Sequence, residues 1–443
     1  MDTLSECLSL LSDWVWGTPM LVLLVGTGIY LTVLLRGLQF RRLGTALKLV
    51  LHKEQKVDGD ISHFAALTTA LAATVGTGNI VGVALAISTG GPGAVFWMWM
   101  TGLVGMATKY AEALLAVHYR EKGSHGMRGG PMYYLAKGAG LPWLGVIFAI
   151  FTVGAAFGIG NMSQANSAAG ILHQAFGIDV WLTGLILLML TGMVLIGGIK
   201  SIGRFTSALV PFMILMYMGA ALVVVILNIE RVPTAFHLIF WHAFNPAAAA
   251  GGFAGAAVAA AIQAGVSRGI FSNESGLGSA PIAAAAAKTN DPVRQALVSM
   301  TQTFIDTLLV CTSTALVILT SSVWNQPQAV TAEVLTALSF AETLGHSGVV
   351  IVACATVLFA YSTLIGWSYY GEKALEFLAG EKSIILFRLI FVAAVMCGAV
   401  LKLDIVWDFS DVMNGLMALP NLIGILLLSK VVKQESERYF NQH

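Results

Sequence analysis

Charge is what this sequence has least of: only 11% of its 443 residues are Asp, Glu, Lys or Arg, where a soluble domain carries about 25%. That shortage excludes a string of soluble domains of about 150 residues each, because too few ionisable side chains remain to cover them. Neither sign of charge is in excess. With 24 Lys and Arg against 23 Asp and Glu, no bulk field exists to draw nucleic acid or an acidic partner. Cysteine is nearly absent. Cys7, Cys311, Cys354 and Cys397 lack the paired spacing of a metal site or a disulfide framework and read as small core residues. The chain also lacks a nucleophile with its base and paired intramembrane histidines, which leaves membrane-enzyme and haem chemistry without residues.

What is abundant is hydrophobicity, at 57% of residues. A bilayer core about 30 Å thick takes roughly 20 apolar residues per helix. Eleven runs of that kind lie at 14–35, 61–89, 92–119, 142–172, 180–198, 205–227, 250–287, 295–320, 347–371, 384–401 and 406–429. The first reads as a retained span, not a signal peptide, because its flank is acidic (Asp2, Glu6, Asp13) and the basic cluster Arg36, Arg41, Arg42 follows it. Nearly all Lys and Arg fall in alternate loops, beginning with 36–60. The opposite connections hold only Arg231 and Lys402. By the positive-inside rule the N-terminus is then outside and the C-terminus cytoplasmic. Two long external connections, 228–249 and 321–346, carry Trp241 and Trp324 and read either as interfacial cover or as a gate over the outer mouth.

Two spans contain residues that a membrane helix avoids. The second carries Ala73-Thr74-Val75-Gly76-Thr77-Gly78-Asn79, and the seventh carries Ser267-Arg268-Gly269-Ile270-Phe271-Ser272-Asn273-Glu274-Ser275-Gly276. Backbone groups released in hydrocarbon cost several kcal/mol each unless they face a cavity or a ligand, so each break points to a site. Half-helix N-termini suit an anion, and freed carbonyls suit a cation. Setting the first span aside, the remaining ten divide into five and five, each half opening with a broken helix and starting on opposite sides of the membrane. Such an inverted repeat is the pattern of a secondary transporter. The units expected are 1–60 (N-terminal helix and loop), 61–227 (first repeat), 228–249 (external connection), 250–429 (second repeat) and 430–443 (cytoplasmic tail).

The segments ATVGTGNIVGVA at 73–84, GGPGAVFWMW at 90–99, HGMRGGPMYYL at 125–135, GIFSNESGLGSAPIAAAAA at 269–287 and YSTLIGWSYYGE at 361–372 together resemble the alanine or glycine:cation symporter family over nearly the whole chain. The resemblance implies an all-α membrane protein with a leucine-transporter-type 5+5 inverted repeat and one extra N-terminal helix, in a bacterial-type plasma membrane. Its implied activity is uptake of a small neutral amino acid, L-alanine, glycine or D-alanine, with Na⁺ as coupling ion, no other cofactor and no protein partner. A proton-coupled carrier, or a carrier of glutamine or serine on the same fold, is the alternative. A channel is a more distant one, separated by saturable ion-dependent uptake.

Residue by residue, the resemblance implies a carboxylate seat at the Thr77 and Gly78 amides beside Asn79. Freed carbonyls of Gly269 and Ile270 and the wall of Phe271 would meet the substrate ammonium, bordered by Ser272 and Asn273. Gln164 would reach the substrate, and Trp367 would limit its size. Sodium would lie between the carbonyls of Ala72, Val75 and Ala360 and the Thr363 hydroxyl; neutral oxygens suffice for a monovalent ion. Without the resemblance, Gln164 reads as an interhelical hydrogen bond and Trp367 as a core or interfacial aromatic.

Charges inside spans need their own account. Lys109 and Glu112, at i and i+3, are expected to pair on one helix face or to serve in coupling. Arg268 and Glu274 flank the second break and read as a neutralising pair or an inner gate. Asp306 reads as hydrogen-bonded to Thr303 and Thr307, or as a proton carrier.

Overall fold

The computed structural model describes residues 8–442 except 9, 13, 53–56, 125, 246–253, 326–330 and 402–403. Cys7, Asp2, Glu6, Asp13 and Lys402 lie outside the described residues. Helices occupy all eleven expected stretches. In chain order they are α1 (Thr18–Leu34), the broken helix α2 (His63–Thr74) with α3 (Val81–Gly90), α4 (Gly93–His118), α5 (Pro142–Phe176), α6 (Val180–Ile196) and α7 (Gly198–Leu227). After the connecting helix α8 (Val232–Phe244) come the second broken helix α9 (Ala254–Asn273) with α10 (Pro281–Ala284), and α11 (Pro292–Thr320). A second connecting helix, α12 (Ala332–Leu344), precedes α13 (His346–Ala379), α14 (Ser383–Val400), α15 (Asp404–Leu427) and α16 (Ser429–Gln442). Among the described residues six helices are each long and apolar enough to cross a membrane.

Packing follows the small residues. α4 lies along both α9 and α11, and α9 along α3, because Gly265 and Gly269 on α9 let its backbone approach Ala94 and Met98 of α4. α5 and α13 pack together and against α14 and α15. Gly160 lets α5 approach Trp367 of α13, and Gly366 seats α13 on the backbone of Ala73 of α2. The side chains facing out of this bundle are apolar, as a lipid solvent requires: Leu215 of α7 is 71% exposed and Leu389 of α14 is 66% exposed. Cys354 and Cys397, expected in the core, are on that outer surface, and only Cys311 among the described cysteines is buried.

Both breaks have local causes. α2 stops at Thr74 because Val75 leaves helical geometry at ψ 89° and Gly76 is extended. A single 3₁₀ turn, Thr77–Asn79, then restarts the chain toward α3. α9 stops because Glu274 adopts a left-handed φ of 54°, and Gly276 and Gly278 follow at φ 93° and 82°. A non-glycine residue there stores on the order of 1–2 kcal/mol. The second break therefore spans 274–280, further along than the sequence implies: the Ile270 carbonyl accepts from the Glu274 amide at 2.8 Å and is not freed.

The amides of Gly276 and Gly278 donate to one carboxylate oxygen, Glu112 Oε1, at 3.1 and 3.2 Å, and Asn421 Nδ2 donates to the same atom at 2.7 Å. Glu112 thus pairs with a half-helix break and not with Lys109, whose Nζ has no hydrogen-bond partner among the described residues. Past α10, Arg120 closes the chain by donating to the carbonyls of Ala285, Ala287, Thr289 and Asp58. It leads into a small hairpin, β1 (Glu121–Gly123) against β2 (Gly126–Arg128).

Replacing Glu112 by Leu strands three buried donors at about 1–3 kcal/mol each. The expected result is a large fall in unfolding temperature in detergent, with Glu112→Gln, which keeps an acceptor, in between. Equal unfolding temperatures for Glu112→Leu and the unaltered chain would overturn this account of the second break.

Candidate functional site

The two breaks meet at a small cavity of about 20 Å³ lined by Ala73, Thr74, Gly76, Thr77, Gly78, Ile159, Gln164, Phe271, Glu274, Thr363, Trp367 and Asn414. A single water needs roughly 10–15 Å³ on this scale, so only a compact occupant fits without movement. A larger recess of about 570 Å³ lies elsewhere, by Asp58, Lys122, Glu372, Lys373 and Arg388. There, charge meets charge: Arg388 pairs with Glu372 at 2.6 Å and Lys373 with Glu376 at 2.7 Å. The small cavity is the candidate site because its polar groups are not used up.

On its first side lies the break after α2. Gly76 N–H donates to Asn79 Oδ1 at 2.9 Å, and Asn79 N–H returns to the Gly76 carbonyl at 3.1 Å. Thr77 and Gly78 open the 3₁₀ turn, so their N–H groups have no partner within it. The last helical bond of α2 runs from Val75 N–H to Leu71, which leaves the carbonyls from Ala72 onward as the helix's unpaired end. Against that end stands α13, unbroken through Ala360 and Thr363. Ser362 Oγ lies 3.4 Å from the Val75 carbonyl, and the buried Thr363 Oγ1 has no partner. A Cβ on Gly76 would come within 2.5 Å of Thr363 Oγ1, so only glycine allows this approach. Because α13 is continuous, the Ala360 carbonyl stays in the helical ladder and has one lone pair to offer.

The second side is built by α9 and its break. Phe271 forms a wall, and the Arg268 guanidinium sits over its ring at 5.7 Å. The Glu274 carboxylate accepts from Trp367 Nε1 at 3.1 Å and from Ser279 Oγ. Arg268 and Glu274 therefore do not neutralise each other: one stacks on an aromatic ring and the other turns to Trp367. Trp367 is held against Gly160 of α5. In α5 a π turn over Gly158–Met162 frees the Ile159 carbonyl, which accepts from Gln164 Nε2 at 2.9 Å and leaves Gln164 Oε1 without a partner.

Of the residues singled out from the sequence, Thr77, Gly78, Gln164, Phe271, Glu274, Thr363 and Trp367 line one cavity. Asn79, Gly269, Ile270, Ser272 and Asn273 do not, and neither do Ala72, Val75 and Ala360 of the expected sodium set or Arg268. Gly269 packs on Met98 and Thr101, and the bonded Ile270 carbonyl is unavailable to an ammonium. Ser272 and Asn273 turn to α11, where Ser272 Oγ donates to Asp306 Oδ2 at 2.9 Å and Asn273 Nδ2 to Thr307 Oγ1 at 3.1 Å. Asp306 bonds Thr307 as expected, at 2.9 Å, but Thr303 bonds Ser275 instead. Sequence reasoning missed Asn414, a buried lining residue whose Oδ1 has no partner. Its one signal is that the apolar run 406–429 holds two asparagines, Asn414 and Asn421, at membrane depth.

Comparison with known proteins agrees with this architecture. The solved structure of MhsT in complex with L-phenylalanine superposes with a TM-score of 0.58 at 14% identity, covering 84% of this chain and 89% of that one. The Eremococcus coleocola manganese transporter gives 0.50 at 16% identity, covering 85% and 82%. These likenesses establish the leucine-transporter-type fold. In sequence, the chain is 54% identical to the sodium/alanine symporter AgcS of Methanococcus maripaludis over 97% of its own length and 95% of that protein's. It is also 39% identical to the probable sodium/glutamine symporter GlnT of Bacillus subtilis, over 99% of this chain and 91% of that one. A profile of the sodium:alanine symporter family matches residues 1–443. The chain is a multi-pass membrane transporter of amino acids, not an enzyme, and it belongs to the sodium:alanine symporter family.

Proposed function

We propose that this transporter carries a small neutral amino acid, L-alanine, glycine or D-alanine, into the cell together with Na⁺. The observation that carries the reading is the polarity of the cavity. The Thr77 and Gly78 N–H groups, which have no partner inside their 3₁₀ turn, suit a carboxylate, while Glu274, Gln164 Oε1 and Asn414 Oδ1 supply acceptors for an ammonium. A zwitterion with a short side chain satisfies both sets, and with only about 20 Å³ between Phe271 and Trp367 it enters as these walls move apart, which favours the smallest side chains. The ammonium partners are thus side chains, in place of the Gly269 and Ile270 carbonyls.

Sodium coupling is supported by the carbonyls of Ala72 and Val75, which lie past the last helical bond of α2, the second also touched by Ser362 Oγ at 3.4 Å, and by the Thr363 hydroxyl beside Gly76, which has no partner among the described residues. With the second lone pair of Ala360, these are neutral hard oxygens suited to a monovalent cation. The name of the sodium/alanine relative favours the same ion and substrate. Cation and substrate then sit on either side of Gly76. A bound Na⁺ orders the backbone that presents the Thr77 and Gly78 amides and raises substrate affinity, and the substrate raises Na⁺ affinity by the same factor. Release follows when the broken helices and their neighbours rock against the rest of the fold. The distribution of Lys and Arg supports an N-terminus outside and a cytoplasmic C-terminus, family membership supports an inner membrane of bacterial type, and a broken helix at the start of each supports 61–227 and 250–429 as the two repeats.

Uptake of labelled alanine into proteoliposomes tests this directly. Accumulation is expected under an inward Na⁺ gradient and not under a proton gradient without Na⁺. Proton-driven uptake would overturn the ion, and glutamine uptake without alanine uptake would overturn the substrate.

Two glycines test the seats separately. A Cβ on Gly78 meets Phe271 at 3.4 Å, an ordinary contact, so Gly78→Ala is expected to retain uptake within about tenfold. Gly78→Leu fills the carboxylate seat and loses about a hundredfold or more, overpacking by up to about 3 kcal/mol. Gly76→Ala pushes on Thr363 and is expected to raise the Na⁺ concentration for half-maximal uptake. Normal uptake by Gly78→Leu, or an unchanged Na⁺ requirement in Gly76→Ala, counts against the corresponding seat.

A further inference from the structure

Asp306 is the buried carboxylate that the transport cycle above leaves unused. It belongs to α11, within a π-helical stretch, Phe304–Cys311, where an extra residue per turn projects side chains that a regular helix would aim elsewhere. Its two oxygens accept three hydrogen bonds, from Asn79 Nδ2 at 2.7 Å, Ser272 Oγ at 2.9 Å and Thr307 Oγ1 at 2.9 Å. Asn79 belongs to the first break and Ser272 to the last turn of α9 before the second. One carboxylate therefore holds both interrupted helices.

The chain of bonds continues into the site. Because Asp306 takes the Asn79 NH₂ group, the amide oxygen of Asn79 is turned to Gly76 N–H at 2.9 Å. Gly76 is the junction between the α2 carbonyl end and the Thr77 and Gly78 amides. At the other arm, Ser272 stands between Phe271, a wall of the cavity, and the strained Glu274. We propose that Asp306 is a positioning residue that couples the cation seat to the substrate seat, by fixing the first break through Asn79 and the end of α9 through Ser272. An Asn at 306 offers one acceptor where three donors converge, and its own NH₂ opposes them. Asn79 is then free to turn over and set its NH₂ against Gly76 N–H, which abolishes the bond that shapes the junction.

The inference rests on the reading of the protein as a Na⁺-linked alanine carrier. Its test is alanine binding to the purified full-length protein, measured with saturating Na⁺ and with Na⁺ replaced by choline. The ratio of the two dissociation constants is the coupling factor, commonly about 5- to 150-fold. Asp306→Asn and Ser272→Ala are expected to bring this ratio toward one while alanine still binds weakly without Na⁺. Thr303→Val, on the same helix as Asp306, removes the contact with Ser275 in the second break without touching Asn79 or Ser272, and is expected to keep the ratio even where it lowers the unfolding temperature. Should Asp306→Asn fail to fold, Ser272→Ala removes a single hydroxyl and carries the test alone. An unchanged ratio in Asp306→Asn or Ser272→Ala would overturn the proposal, and so would an equal loss in Thr303→Val, which would reveal general loosening. No Na⁺ effect in the unaltered protein would instead overturn the sodium reading. Proton-driven uptake that Asp306→Asn abolishes would make Asp306 a carrier and not a positioning residue.

Discussion

Every feature of this site descends from one constraint: backbone N–H and C=O groups released inside hydrocarbon have no water to turn to. Two helices are interrupted at membrane depth, and the structure shows how most released groups are satisfied. Asn79 takes the Gly76 amide, Glu112 takes the amides of Gly276 and Gly278, Asn421 Nδ2 serves the Gly276 carbonyl, and Arg120 gathers three carbonyls beyond α10 together with that of Asp58. What is left over is small and localised. At and beside the cavity are the Thr77 and Gly78 amides, which have no partner inside their 3₁₀ turn, the Ala72 carbonyl past the last helical bond of α2, and the Thr363 hydroxyl, which has no partner among the described residues. Binding capacity here is the remainder of a satisfaction problem solved elsewhere by fixed side chains.

The same constraint explains why the buried carboxylates differ in role. Glu112 is absorbed by three donors of the second break and its vicinity, and Asp306 by three donors that bridge both breaks. Glu274 reaches the cavity with two donors, Trp367 and Ser279, and remains the carboxylate nearest a ligand. Lys109 is within electrostatic reach of all three and bonded to none.

Much of this was legible in the sequence, and the misreadings share a cause. The eleven helical stretches follow from apolar run lengths, and the first break from glycines around Asn79. The second break was placed too early because Gly269 looks like a point of unwinding, whereas its missing side chain serves close packing on Met98 and Thr101. Glycine has one appearance in a sequence for both uses. Lys109 and Glu112 have the spacing of a helical ion pair, yet Glu112 finds amides more than 160 positions away, and no local pattern registers such a competitor. Cys354 and Cys397 sit in apolar spans whose outward face is also apolar, so in a membrane hydrophobicity no longer separates inside from outside.

The π-helical turns mark a further limit. Two of the three such stretches among the described residues adjoin the site: Gly158–Met162 frees the carbonyl that orients Gln164, and Phe304–Cys311 carries Asp306. Each inserts one residue into the helical ladder, shifting the facing of everything beyond it by roughly 100° relative to a 3.6-residue period. A periodicity argument carried across such a point assigns the wrong face. Gln164 is tolerated at membrane depth because its π turn supplies a partner, the Ile159 carbonyl, whereas Asp306 takes its partners from the side chains of Asn79, Ser272 and Thr307, two of them on the broken helices that the π stretch faces.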